Sequence, residues 1–226
     1  LLRGTSPTLG QIFPADFIPV AEYAGLMPQI GDWVIQNACR EAVAWASLQD
    51  EPIHVAINVS PQQFRGTDLI ANVTQALAGT GLPPHLLELE ITESVLVQDA
   101  PQTMQIFQDL NDLGVTLSLD DFGTGYSSLS YLKKFPMQVL KIDRSFVQDL
   151  GEDRGDDSLV EAIVAMAHSL NLGLVAEGVE TTAQLDALRK LGVTLAQGYL
   201  FSRPVDSTAF RALLAKDALD TKQATG

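Results

Sequence analysis

The chain is constrained first by a rhythm. Six times, a short run with apolar residues at every second position is followed by a stretch with helical spacing. The strands fall at 54–60, 86–92, 117–120, 138–143, 173–178 and 195–201. The helices after them fall at 68–77, 101–113, 126–135, 157–170, 182–191 and 207–216. Strands separated by helices pair in parallel, because each crossover returns the chain to the same end of the sheet. Ahead of this series, 4–10 reads as a loop rich in Gly, Ser, Thr and Pro. Two helices follow at 14–25 and 29–48, the second apolar at Trp33, Val34, Ala38, Ala42 and Trp45.

Side-chain parity chooses between the two parallel architectures. Val55, Ile57 and Val59 oppose Ala56, Asn58 and Ser60; Leu87, Leu89 and Ile91 oppose Glu88, Glu90 and Thr92; Leu140 and Ile142 oppose Lys141 and Asp143. An open sheet covered by helices on both faces wants nearly continuous apolar strands. One-sided polarity gathered at the C-terminal strand ends fits an α/β fold of the (β/α)8 type, a TIM-like barrel with its active site at the mouth. Six strands are too few to close it, so strands upstream of Leu1 are expected and the chain reads as an N-terminally truncated barrel. No linker interrupts it. A single domain over 1–226 is expected, ordered to about 216, with a tail over 217–226.

The polar strand ends carry the chemistry. They deliver Asn58, Glu90, Asp120 with Asp121, Lys141 with Asp143, Glu177 and Gln197 to one rim. Each alone has an ordinary structural explanation, such as a helix cap or a surface ion pair; together on one face they predict a shared metal and substrate site. The donors are mainly hard oxygens, which suit Mg²⁺ or Mn²⁺. So many carboxylates would hold two ions more comfortably than one, the arrangement that serves in-line displacement at phosphorus. Lys141, a cation among acids, would hold the attacking water or stabilise charge developing on the phosphate.

Composition excludes several alternatives. Lys+Arg 14 against Asp+Glu 28 gives a net charge of -14, which argues against a DNA or RNA polymer as partner. A phosphate-bearing ligand would need metal ions to supply positive charge. Cys39 lies in an apolar helical pattern and reads as a buried small hydrophobe. His54, His85 and His168 have no zinc-site spacing. No apolar run reaches the roughly 20 residues of a membrane span, so a cytoplasmic domain without membrane contact is expected.

Asn58-Val59-Ser60, Glu90-Ile91-Thr92-Glu93, Asp120-Asp121-Phe122-Gly123-Thr124-Gly125-Tyr126-Ser127-Ser128-Leu129, Lys141-Ile142-Asp143-Arg144, Glu177-Gly178-Val179-Glu180 and Gln197-Gly198-Tyr199-Leu200-Phe201 occur in this order. With Phe17-Ile18-Pro19 and Ser202-Arg203-Pro204, the series resembles the EAL domain, the bacterial phosphodiesterase that opens cyclic di-GMP to linear pGpG. The resemblance implies metal ligands at Asn58, Glu90, Asp120 and Glu177, with Asp121 at the second ion. It implies Lys141 at the catalytic water supported by Gln197, and Glu177 as a candidate general base. Leu1, Arg3, Asp143 and Gln197 fall on the substrate side, Arg3 at a phosphate and Asp143 at a guanine or ribose. Glu93 would brace the loop containing Phe122, Gly123, Thr124 and Gly125, which couples the metals to a homodimer contact. Upstream sensory or GGDEF domains are implied in the parent protein, which would be tethered to a membrane in some members.

The opening departs from the family pattern. The chain begins at the Leu of the naming Glu-Ala-Leu motif, so the metal-binding Glu is absent from it, and Gly4-Thr5-Ser6-Pro7 stands where an aromatic and His-Pro are usual. If Leu1 is the true start, poor folding and little hydrolysis are expected. Two rival functions remain: a degenerate domain that binds cyclic di-GMP without cutting it, and an enolase-like metal-dependent barrel, against which the Asp-Asp pair and the Gly-Thr-Gly loop speak.

Overall fold

A computed structural model of the chain describes residues 2–46, 48, 52–65, 69–96, 100–123, 132–151 and 157–224. The chain divides into two compact units, 1–87 with 206–226, and 88–205.

The first unit begins with an antiparallel hairpin, β1 (Gly4–Ser6) and β2 (Gly10–Ile12), with Gly4 opposite Ile12. A loop was expected there. The turn forms because Ser6 Oγ accepts from the backbone N–H groups of Thr8 and Leu9, each at 3.3 Å, the local bonding that suits Ser to turns. Helix α1 (Pro14–Tyr23) starts where Pro fixes φ, and Asp16 accepts from Phe13 N–H at 3.3 Å. Helix α2 (Met27–Ala46) buries Gly31, Ile35, Cys39 and Ala42, a stripe at helical spacing. Cys39 is fully buried, as expected, whereas Trp33 is 59% exposed, so the stripe is rotated from the one suggested by the large apolar residues. Strand β3 (Val55–Val59) buries Ile57 and Val59 and exposes Asn58. Helix α3 (Leu69–Thr80) packs on α2, where Asn72 Nδ2 donates to Asp32 Oδ1 at 2.5 Å. The last helix, α9 (Ser207–Ala224), also packs on α2 and runs through most of the expected tail.

The second unit holds the parallel sheet. Its strands are β4 (Leu87–Thr92), β5 (Thr116–Phe122), β6 (Val139–Ile142), β7 (Gly173–Ala176) and β8 (Leu195–Ala196), each paired in parallel with the next. The intervening helices are α4 (Glu93–Leu96), α5 (Ala100–Asp112), α6 (Arg144–Val147), α7 (Asp157–Ser169) and α8 (Thr182–Lys190). This is the strand–helix alternation of a TIM-like barrel, the expected class. Leu87, Leu89, Ile91, Leu117, Leu119, Leu140 and Ile142 are wholly buried on one side of their strands, which leaves the alternate positions of the same strands to the polar residues. The final strand is shorter than expected. After Ala196 the chain turns back on itself: Leu200 N–H donates to Val179 O, and Phe201 N–H to Gly198 O. The helix expected over 126–135 lies mostly outside the described residues.

Candidate active site

Three carboxylates of the second unit converge on one ammonium. Lys141 Nζ lies 2.5 Å from Glu90 Oε1, 2.5 Å from Glu177 Oε1 and 3.3 Å from Asp120 Oδ1. Sheet register brings them together: Glu90 stands opposite Ser118, Thr92 opposite Asp120, and Lys141 opposite Val175, two residues before Glu177. Lys141 is 3% exposed, Glu90 7% and Asp120 8%.

The β5–β6 pairing shifts register between Leu119 and Phe122, across Asp120 and Asp121. Such an irregularity re-aims side chains. Asp121 adopts φ 55, and its N–H donates to Asp120 Oδ1 at 3.1 Å. Few residues without a glycine's freedom take this left-handed conformation, and Asp and Asn are the best suited. Gly123 follows at φ 94, where a Cβ would come within 2.9 Å of the Phe146 ring and the backbone would be strained for any other residue.

The electrostatics report a shortage of positive charge. Burial pushes the Glu90 and Glu177 carboxyls above the usual range, and the nearby Lys141 only partly offsets it. Asp121 is raised by burial, then by Asp120 and Asp143. Burial by itself would lower Lys141, but Glu90, Glu177 and Asp120 outweigh it and hold the ammonium above its usual value. Lys141 is therefore a fixed cation rather than a base at neutral pH.

The remaining expected residues divide into groups. Asp143 caps α6, accepting from Ser145 N–H at 2.9 Å. Gln197 is exposed and joins the site's periphery through its backbone, donating to Ala176 O and accepting from Val179 N–H. Glu93 is buried at the start of α4, and among the described residues its two carboxylate oxygens have no hydrogen-bond partner. Phe122 is buried beside Asp121. Asn58 and Arg3 belong to the first unit, where Arg3 donates to Leu2 O. Leu1, Thr124 and Gly125 lie outside the described residues.

Gln184, which the sequence reading passed over, is 7% exposed and makes three side-chain hydrogen bonds behind Glu177. Its sequence signal was the Thr181-x-x-Gln184 capping pattern.

The donor set fits a divalent cation in chemistry. It offers hard oxygens and excess negative charge, although among the described residues no group of three or more His, Cys, Asp or Glu is arranged to hold a metal ion. The carboxylates are gathered around Lys141 instead.

A parallel α/β barrel-type fold with acids and one lysine at its strand ends defines a class of site suited to charged, phosphate-bearing ligands. The chain belongs to the EAL domain family, whose model matches residues 1–204. It is 45% identical over 215 residues to the bifunctional diguanylate cyclase/cyclic di-GMP phosphodiesterase MucR of Pseudomonas aeruginosa, covering 95% of this chain and 31% of that protein. It is 44% identical over 214 residues to the cyclic di-GMP phosphodiesterase NbdA of the same organism, covering 95% of this chain and 27% of that one. The chain thus spans less than a third of either relative. The solved structure of the PaMucR phosphodiesterase in complex with c-di-GMP superposes with a TM-score of 0.87 at 45% identity, over 93% of this chain and 85% of that one. No described helix is long and apolar enough to cross a membrane.

Proposed function

We propose that the chain is the hydrolytic domain of a cyclic di-GMP phosphodiesterase, which opens one phosphodiester of cyclic di-GMP to give linear pGpG. The observation that carries this is the convergence of Glu90, Asp120 and Glu177 on Lys141, beside an Asp121 held in an unusual backbone conformation. The names of MucR and NbdA and the ligand of the PaMucR structure supply the substrate.

Water oxygen attacks phosphorus, the bond to the 3′ oxygen breaks, and the phosphate stays on the 5′ side, as pGpG requires. Glu177, with a carboxyl raised by burial above its usual value, takes the water's proton. The 3′ oxygen takes a proton from solvent water and leaves as a hydroxyl, and Glu177 gives its proton back to solvent. Lys141 stays charged throughout and offsets negative charge building on the phosphate. Gln197 orients the water, Asp143 and Arg3 hold the nucleotide, and Glu93 fixes the turn at Phe122 and Gly123. Asn58, Glu90, Asp120, Asp121 and Glu177 would hold Mg²⁺ or Mn²⁺, two ions in this reading, whose charge would let an anionic substrate approach so many acids and would polarise the water.

A cytoplasmic, homodimeric domain joined to sensory or GGDEF segments completes the reading; MucR, named as both cyclase and phosphodiesterase, supports such a combination. The test is incubation with cyclic di-GMP and Mg²⁺ or Mn²⁺, reading pGpG by chromatography. Release of pGpG that Asp121→Asn abolishes upholds the proposal. Binding without release makes the domain a receptor, and no binding overturns both readings.

A further inference from the structure

Glu177 leaves β7 into the turn Gly178-Val179-Glu180, and several contacts fix that turn from outside the acidic cluster. Glu177 N–H donates to Ile142 O at 3.0 Å, and Val179 N–H to Gln197 O at 3.0 Å. Gly178 has φ 68, and the Arg144 stem lies so close that a Cβ there would sit 2.3 Å from Arg144 Cγ. The Arg144 guanidinium in turn pairs with Glu180 at 2.8 Å.

A further set of contacts comes from α8. Gln184 Oε1 accepts from Glu180 N–H at 2.8 Å and from Thr181 N–H at 3.0 Å. Its Nε2 donates to Gln148 O at 3.0 Å, just past the end of α6. One amide therefore joins the turn after Glu177 to the segment that starts at Asp143 and follows the Lys141 strand. A helix cap needs only the acceptor bond to Thr181 N–H. The bonds to Glu180 and Gln148 exceed it.

We propose that Gln184 is a positioning residue: by bridging the Glu177 turn and the 143–148 segment it sets where the Glu177 carboxylate meets Lys141. Its role in turnover rests on the phosphodiesterase reading. The bridge itself does not.

Gln184→Glu separates bridge from cap. A glutamate keeps both acceptor bonds and suits a helix N-terminus, but it presents an oxygen to the Gln148 carbonyl where a donor is needed. The purified protein and this variant are compared by amide hydrogen exchange, thermal unfolding and cyclic di-GMP turnover. The expected result has three parts. Exchange quickens about tenfold over 177–180 and 144–148 while 185–190 is unchanged. Tm moves by no more than about 2 °C. The kcat falls roughly tenfold with KM within about twofold, the size seen for residues that orient groups in contact with the reaction.

If the variant matches wild type in exchange and kcat, Gln184 is only a cap and the proposal is overturned. If wild type releases no pGpG but the variant still loosens both segments, the bridge stands and the enzyme reading alone fails; loosening of neither overturns the bridge as well. Should the glutamate prevent folding, Gln184→Asn, one methylene too short to reach Thr181, Glu180 and Gln148 together, takes its place with the same expected readings.

Discussion

Each unit contains a carboxylate network linking distant parts of the chain, and the two follow opposite rules. In the first, Glu41 of α2 accepts from Ser207 Oγ and pairs with Arg211 at 2.8 Å, both on α9; beside them the rings of Trp45 and Phe210 meet at 4.7 Å. The Glu41 and Arg211 side chains are 37% and 46% exposed, so water solvates what the pair does not. In the second, Lys141 and its three acids are largely removed from water. Exposed pairs contribute about 0–1 kcal/mol, whereas each buried ion costs several kcal/mol in lost hydration. The neighbours Leu89, Ile91, Leu119, Leu140 and Ile142 show what this sheet buries when only packing matters. Cohesion explains Glu41. It does not explain Lys141, and a functional or strained site is where a sequence is expected to break packing logic.

The largest break of that contrast is Lys141→Met. It leaves Glu90, Asp120 and Glu177 facing one another without their shared ammonium. Losing one partner of a buried pair typically costs about 3–5 kcal/mol, and part of that should be recovered when divalent cations are added. Denaturant unfolding in chelator and then in Mg²⁺ measures both. Turnover should fall by about a hundredfold or more. A variant as stable as wild type in chelator would mean that the acids shed their charge by taking up protons.

Asp121→Asn separates chemistry from folding. Asn tolerates the left-handed backbone as well as Asp does, so the turn at φ 55 should survive. Removing a charge crowded by burial, Asp120 and Asp143 should leave unfolding within about 0.5 kcal/mol. The pGpG rate should drop about a hundredfold. Equal losses of stability and rate would make Asp121 structural.

Acidity distinguishes the two networks by sign. Glu90 and Glu177 sit above the usual carboxylate value of 4.5 in the folded chain. The folded state therefore keeps their protons to higher pH than the unfolded one, and stability falls as pH rises from about 4.5 toward their folded values. Glu41 is lowered, first by the Ser207 hydroxyl and then by Arg211, so its contribution is whole above 4.5 and is lost as pH falls through its folded value. Lys141 adds stability that is complete below 10.5 and fades only in strong alkali. Metal-free protein should thus gain stability as pH is lowered from neutral toward 4.5, and mutating Glu41 should leave that gain untouched. Thermal melts across this range check it; a loss of stability over the interval would refute the crowded-acid account.

Period-two alternation made the sheet legible, since packing one face forces Leu and Ile to every second place and leaves the places between to polar residues. The same parity located Glu90, Asp120, Lys141 and Glu177, because residues on like faces at neighbouring strand ends must converge. The hairpin at Gly4–Ile12 was hidden because its strands are three residues each, too short for a period. The brevity of β8 was hidden too: Gln197 to Phe201 reads as a strand, but its hydrogen bonds go to the Glu177 turn. Trp33 looked like core and is not, because helix rotation is set by what fits beneath, here Gly31 under Gln63. Gln184 escaped because a capping pattern identifies the acceptor bond and says nothing of what the amide's other end reaches.

The smallest expected effect tests the quieter network. Glu41→Gln keeps the side chain's length and an acceptor for Ser207 and Arg211 while removing the charge. An exposed pair gains little Coulomb energy in water and loses side-chain entropy on forming. The change should therefore cost about 0–1 kcal/mol, shrink further in high salt as charges are screened, and leave pGpG production unaltered. Arg211→Ala should match it within that range. The double variant should add nearly nothing, because either change already breaks the same pair. A cost above about 2 kcal/mol, or any fall in turnover, would show that α9 does more than lie against α2. The division between a unit held by ordinary packing and a unit strained by its acids would then have to be redrawn.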